Sequence, residues 1–196
     1  MRKIALTAAF AATILTPAVA SAQAVPAAVI AVVDLEKVTT NCTACKSANQ
    51  ALQGQVNALK SRQQTLVAPL ETEGKSIQAA VDALKGKEPD AALQARATAW
   101  QTKRQQALQE LSRQEQQIQR NQAYIQQQIA SKLGPIYQQV MQRRGANVML
   151  EISSTLASGA SLDVTNDVLG ALNQQLPSVA TTAPAAPAPK QQPQGR

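Results

Sequence analysis

The sequence predicts a mostly α-helical protein with a small β body, in which a long antiparallel helical hairpin projects from a small β-sheet. Three observations lead to this fold class. Apolar residues repeat at helical spacing through two long stretches that a Gly/Pro/Asp segment separates. Short, mostly apolar segments that favour strands flank these stretches. Aromatic residues make up only 2% of the chain, so a large central core is not expected.

The hairpin is predicted over 45–143. A turn is expected over 85–90, because Gly, Pro and Asp together break a helix. Each of its two helices, the arms, has about 45 residues and reaches about 65 Å at the helical rise. The apolar positions of the first arm keep one heptad register, as Leu52, Val56, Leu59, Leu66, Leu70, Ile77 and Leu84.

Two apolar segments, 29–33 and 147–152, are predicted to be strands that meet when the hairpin closes. The β body then consists of 23–44 and 144–176. A sheet of this size has open edges and is marginal alone, and the body is too small for a robust monomeric core. We therefore expect an obligate oligomer with projecting arms.

The last helix is predicted over 166–176, with Thr165 as its N-cap and Asp167 in its first turn. Pro177 ends this helix. Residues 177–196 are rich in Pro, Ala and Gln and have no apolar pattern, so their composition predicts a disordered tail.

The N-terminus is predicted to be a signal peptide over 1–22. Arg2 and Lys3 precede an apolar run over 4–15, and a small-x-small cleavage motif follows over 20–22. The run is shorter than the ~20 residues of a membrane-spanning helix. We expect an exported chain, and an uncleaved anchor is the alternative.

Enzymatic chemistry is not expected. The chain carries a formal net charge of +7. It has no His and only two Cys, which excludes the usual single-chain zinc sites. Asp34 and Glu36 follow the first predicted strand without a nucleophile or a phosphate loop nearby. We therefore assign these carboxylates to a helix cap or a turn, and we predict no metal and no cofactor.

Cys42 and Cys45 form a C-x-x-C motif at a predicted helix start. A helix N-terminus lowers a thiol pKa, so redox chemistry is one interpretation. No βαβ pattern surrounds the motif, and an exported protein meets an oxidising environment. We favour a disulfide within the chain that staples the first helical turn, while disulfides between chains remain an alternative.

A flexible point is predicted at Pro69 and Gly74 in the first arm. Proline removes a helical hydrogen bond, and Gly74 lies five residues further on, opposite Trp100 by simple reflection about the turn. Polar Gln63 and Glu73 occupy core-type positions in the same stretch. A hinge is the interpretation we pursue, and a harmless kink is the alternative.

The arms carry a positive charge, with fourteen Lys or Arg against seven Asp or Glu over 46–144. Such a field favours acidic partners or anionic lipid surfaces. Export and the lack of stacking aromatics disfavour nucleic acid. The electrostatic binding residues predicted on the arms and their tip are Lys75, Lys85, Lys87, Arg96, Lys103 and Arg104.

Two segments carry a family resemblance: Val-Ile-Ala-Val-Val-Asp-Leu-Glu-Lys-Val over 29–38 and Ser-Leu-Asp-Val-Thr-Asn-Asp-Val-Leu over 161–169. With the hairpin between them, they resemble the Skp/OmpH family of periplasmic chaperones. The resemblance implies a homotrimer in which a small β-sheet trimerisation body carries three helical tentacles around a cavity. It also implies ATP-independent holding of unfolded outer-membrane proteins. The cysteine pair, the tail and the Gln-rich arms depart from the family pattern.

The partners expected from this resemblance are unfolded outer-membrane proteins and two further copies of the chain, in the periplasm. An anionic membrane surface or lipopolysaccharide is an additional expected partner, although no lipopolysaccharide motif is evident. Two other functions stay open. One is a structural coiled-coil spacer of the envelope, and the other is a thiol oxidoreductase that uses Cys42 and Cys45.

Overall fold

The computed structural model describes residues 25–184, and the predicted signal peptide lies outside them. The fold is mostly helical, with a two-stranded sheet. Its elements in chain order are β1 (Ile30–Val33), α1 (Leu35–Asn41), α2 (Thr43–Ala83), α3 (Ala91–Arg144), β2 (Val148–Glu151) and α4 (Thr165–Gln175). Two short 3₁₀ turns, Ile152–Ser154 and Ala160–Leu162, connect β2 to α4.

Helices α2 and α3 form the predicted hairpin, and the chain reverses between them as expected. Lys85 and Gly86 both have positive φ, at 50° and 88°. The α3 arm starts at the N-cap Asp90, whose Oδ1 accepts a hydrogen bond from the Leu93 N–H at 2.8 Å. Within the described part of the chain, neither arm nor any other helix is long and apolar enough to cross a membrane.

Strands β1 and β2 pair in parallel, from Ile30 opposite Val148 to Val33 opposite Glu151. Both predicted strands are therefore confirmed, and the hairpin acts as the long crossover that parallel strands need. The other edge of β1 is covered at one point, where the Val164 N–H donates to the carbonyl oxygen of Val32 at 2.9 Å. Among residues 25–184, no strand pairs with the outer edge of β2.

The hydrophobic core lies at the base of the hairpin. Val38 of α1 and Val168 and Leu172 of α4 are fully buried there, against Ile136 and Val140 of α3. These two α3 residues fall within the range assigned to the tentacle. The base of α3 therefore forms part of the body's core, and the rest of the hairpin extends away from it.

Thr165 does not cap α4 as predicted. The helix begins at Thr165 itself, after the N-cap Val164. Asp163 Oδ1 accepts the Thr165 N–H at 2.8 Å. Hydrogen bonds from Thr165 lower the pKa of Asp163, and the larger effect comes from the Thr165 hydroxyl and the smaller from its main-chain N–H. The buried Thr165 hydroxyl oxygen instead accepts the N–H of Asp34 at 2.9 Å, at the end of β1.

Asp34 has the local role that was predicted. It is the N-cap of α1, and its Oδ1 accepts the N–H of Lys37 at 2.8 Å. The short α1 is thus fixed at its start by its own cap and by the Thr165 hydroxyl. This double attachment joins the sheet to both α1 and α4.

The structure differs from the prediction of disorder over 177–184. This segment lies along the arms, where its main chain forms hydrogen bonds with Gln55, Asn121 and Gln128. Composition did not reveal these contacts, because the amide groups that bind the tail lie far away in the sequence. The rest of the predicted tail, 185–196, lies outside the described residues.

Cys42 and Cys45 lie at disulfide distance within one chain, and their Cα atoms are 5.1 Å apart. Cys42 is the N-cap of α2, and its Sγ accepts the Cys45 N–H at 3.1 Å. This agrees with the staple that we favoured. The two side chains are 0% and 2% exposed in the core, so neither sulfur is accessible to a redox partner in this conformation.

Replacing both Cys42 and Cys45 with Ala should lower the free energy of unfolding by about 2 kcal/mol, because even a short covalent loop removes entropy from the unfolded chain. Urea unfolding under non-reducing conditions measures this loss.

Thiol titration of the denatured, unreduced protein should find no free thiol. Two free thiols per chain would contradict the pair, and dimer bands on a non-reducing gel would favour disulfides between chains.

Candidate functional site

The tip of the hairpin presents two of the predicted binding lysines. Lys85 and Lys87 are exposed in the turn between the arms, and Lys75 is exposed on α2. None of the three forms an ion pair with another residue of the range 25–184. Their charges are thus directed to solvent, which suits long-range attraction of an acidic partner.

Two other predicted cations contact Glu73 across the arms. Arg96 Nε lies 4.0 Å from Glu73 Oε1, and Lys103 Nζ lies 3.5 Å from Glu73 Oε2. Arg96 also donates to the Ser76 hydroxyl at 2.9 Å. Exposed pairs of this kind contribute about 0–1 kcal/mol each. Arg96 and Lys103 therefore share one carboxylate, whereas the tip lysines have no ion-pair partner among residues 25–184.

Arg104, the sixth predicted residue, packs on Trp100. Its guanidinium carbon lies 5.6 Å from the indole centroid, within cation–π range. The Trp100 Nε1–H donates to the carbonyl oxygen of Leu70 at 2.8 Å, which joins α3 to α2. A Cβ on Gly74 would lie 3.0 Å from Trp100 Cζ2, so Gly74 provides the flat surface on which the indole rests.

A patch that the sequence reasoning missed surrounds this tryptophan. We call it the Trp100 patch and define it as Val67, Leu70, Trp100, Arg104 and Leu108. These residues line a groove of about 480 Å³, and a neighbouring groove of about 760 Å³ extends along α3 past Trp100, Arg104 and Leu108. Leu108 is 57% exposed. In the sequence, Leu108 lies outside the core positions of the heptad pattern, and this was the sign that its side chain is exposed.

Pro69 lies between two contacts that join the arms. Towards the base, Arg62 binds Glu110 through two hydrogen bonds of 2.7 and 3.2 Å, which raise the pKa of Arg62 and lower that of Glu110. Towards the tip, Trp100 binds the Leu70 carbonyl. Helix α2 continues without a break through Pro69. Bending at this point stays a prediction.

The chemistry available on the arms is non-covalent. Lysines at the tip, an aromatic residue stacked with arginine, and half-buried apolar side chains offer weak contacts to a flexible polymer. Within residues 25–184, no cluster of three or more His, Cys, Asp or Glu could hold a metal ion.

Gly74→Ala should destabilise the arms, whereas Gly54→Ala in the same helix should stabilise them by up to about 1 kcal/mol. Both substitutions gain helix propensity, but a Cβ at Gly54 meets open space, while one at Gly74 meets the indole. Thermal unfolding followed by circular dichroism measures the difference. In a Trp100→Ala background, Gly54→Ala and Gly74→Ala should both stabilise the arms. Equal effects of the two substitutions on the wild-type protein would contradict the packing role of Gly74.

The model of the family described as outer membrane protein (OmpH-like) matches residues 29–172. None of the curated proteins compared with the chain matches it. Among solved structures, the chain resembles an OmpH-like protein from Caulobacter crescentus CB15 that is provisionally assigned as an outer membrane chaperone. The TM-score is 0.67 at 15% identity, over 83% of this chain and 94% of the other.

The likeness to the Caulobacter protein concerns the fold, since the identity is low. The family match covers both segments that carried the sequence resemblance, 29–38 and 161–169, together with the hairpin between them. The chain therefore belongs to the OmpH-like family of outer membrane protein chaperones, the Skp family.

Proposed function

We propose that this protein is a periplasmic, ATP-independent holdase that acts as a homotrimer and keeps unfolded outer-membrane proteins from aggregating between its arms. The observation that carries the proposal is the Trp100 patch, a partly exposed apolar surface that includes Arg104 and has Glu71 in the same groove. The patch lies in the half of the hairpin nearer the tip, away from the large apolar core at the base. A surface of this kind offers adaptable contacts to a chain without fixed shape.

Assembly is supported by the uncovered surfaces of the body. The sheet has two strands, and the outer edge of β2 has no partner strand within the described range 25–184. Five large apolar side chains near the sheet are more than one third exposed: Val29, Ile30, Leu150, Leu156 and Leu162. Further copies of the chain would cover these groups.

Client holding would combine electrostatic attraction with many weak contacts. Exposed Lys75, Lys85 and Lys87 raise the rate of encounter with acidic segments. The Trp100 patches of the three hairpins then bind separate stretches of one client, and linked weak contacts give a high total affinity. The same lysines would support a further contact with an anionic membrane surface or lipopolysaccharide. Bending at Pro69 would adjust the cavity to client size.

The two other functions differ in testable ways. An envelope spacer would share the arms and the assembly but would not suppress client aggregation. A thiol oxidoreductase would need an accessible sulfur, and the burial of Cys42 and Cys45 disfavours that role.

The mature protein should be a trimer at micromolar concentration. Light scattering coupled to size exclusion gives the mass. Leu150→Asp places a charge on the exposed part of β2 and should shift the protein towards monomer. Leu108→Asp on the arm is the matched control and should leave the trimer intact. A wild-type monomer, or equal behaviour of the two variants, would overturn the proposed assembly surface.

The wild-type protein should suppress the aggregation of a urea-unfolded outer-membrane barrel after dilution, as followed by light scattering. Lys85→Glu with Lys87→Glu at the tip should slow capture in stopped-flow fluorescence and reduce its dependence on salt. Lys46→Glu with Lys60→Glu is the control, because it makes the same charge change on α2 nearer the base. If both pairs of substitutions slow capture equally, the net charge of the protein rather than the tip is responsible. If the wild-type protein does not suppress aggregation, an envelope spacer is favoured.

A further inference from the structure

Three amide side chains on the arms bind the main chain of the tail. Gln128 both donates to the carbonyl oxygen of Ala180 at 2.9 Å and accepts its N–H at 3.0 Å. Asn121 Oδ1 accepts the N–H of Ala183 at 2.8 Å. Gln55 of α2 donates to the carbonyl oxygen of Thr181 at 3.1 Å. All four hydrogen bonds go to backbone groups of the tail, so they do not depend on its side chains.

The spacing of these amides fits an extended chain. Asn121 and Gln128 are two helical turns apart on α3, which is about 10.5 Å. Three residues of extended chain, from Ala180 to Ala183, span about 10 Å. Along the tail, half-buried Val179, Thr181 and Ala183 alternate with exposed residues, as in a strand lying on a surface. An extended segment of any sequence with small side chains could occupy this register.

Contacts that do not involve the tail help to orient two of these amides, Asn121 and Gln55. Asn121 is 3% exposed, and its Nδ2 donates to Gln55 Oε1 on the opposite arm at 2.8 Å. Gln117 donates to Asn121 Oδ1, also at 2.8 Å. A buried amide held from both arms cannot rotate freely, so its oxygen stays directed at the tail. The arrangement is a built polar site rather than a chance contact of exposed glutamines.

The groove also extends along α3 from Asn121 towards Gln114. A cavity of about 370 Å³ adjoins Thr182 and is lined by Leu59, Ile118 and Gln114, among others. Gln114 lies another two turns from Asn121, in the same row of α3. A longer extended chain would therefore meet a further amide at the same spacing, with apolar side chains beside it.

We propose that Gln55, Asn121 and Gln128 form a main-chain site for extended polypeptide, that residues 178–184 occupy it in cis, and that an unfolded client displaces them. The identity of the occupant as client rests on the proposed function. An unfolded barrel protein offers extended segments whose N–H and C=O groups need partners. The tail segment over 178–184 has no charged side chain, so only its tethering gives it an advantage.

The first test frees the site in the full mature chain. Ala180→Pro with Ala183→Pro removes the two N–H donors that Gln128 and Asn121 accept. Thr182→Pro is the matched control, because no hydrogen bond from its N–H to the arms is found. A fluorescent peptide with the sequence of 178–184 should bind the double variant about tenfold more tightly than the wild type or the control. Equal affinity for all three proteins would overturn the proposal.

The second test changes the ligand and the site. The same peptide methylated on the two nitrogens that correspond to Ala180 and Ala183 should lose about tenfold in affinity for the freed site, although its side chains are unchanged. Gln128→Glu in the freed protein should cause a similar loss, because it replaces a donor with an acceptor facing the Ala180 carbonyl. Gln127→Glu is the control on an exposed neighbour. Undiminished binding of the methylated peptide would exclude main-chain recognition.

The third test asks whether client displaces the tail. Hydrogen exchange should show protected Ala180 and Ala183 amides in the wild-type protein, and saturation with an unfolded barrel should remove that protection. If protection persists while aggregation is still suppressed, the chaperone function stands and the main-chain site is only a structural clasp for the tail. If aggregation is not suppressed but the peptide tests succeed, the site stands and the proposed function fails.

Discussion

The parallel pairing of β1 with β2 is the interaction on which the rest of the structure depends. It joins residues 30–33 to 148–151, so both ends of a hairpin of more than a hundred residues meet at one place. Around this pairing, α1, α4 and the base of α3 bury the only large apolar cluster of residues 25–184. Because most of the apolar burial is here, the arms beyond it present mainly polar and cationic surface.

The arms are held together by specific polar contacts as well as by apolar packing. Gln55 binds Asn121, Arg62 binds Glu110, and the Trp100 indole binds the Leu70 carbonyl. Each of these contacts joins α2 to α3 at a separate point along the arms. A hairpin linked at separate points keeps the register of its two helices without a continuous apolar interface between them. Apolar side chains such as Leu108 therefore stay at the surface.

These features fit the proposed holdase function. Weak contacts distributed along an arm suit a client that has no fixed shape, and the proposed assembly of several chains would multiply them. The tail adds a second kind of contact, because it leads an extended backbone across the amides of both arms. A protein that binds its own extended segment through main-chain groups has the chemistry to bind that of another chain.

The sequence by itself determined the hairpin, its turn, both strands and the cap of α1, because periodicity, Gly/Pro breaks and Asp34 act within a few residues. The family motifs at 29–38 and 161–169 also lie within short segments. The tertiary structure alone decided the parallel direction of the strands and the partner of the Thr165 hydroxyl, which is 131 residues away. It also decided the packing of Gly74 on Trp100 and the order of the tail, which needs Asn121, 62 residues before Ala183. Such contacts depend on which distant groups the closed hairpin brings together, and local composition contains no signal for that.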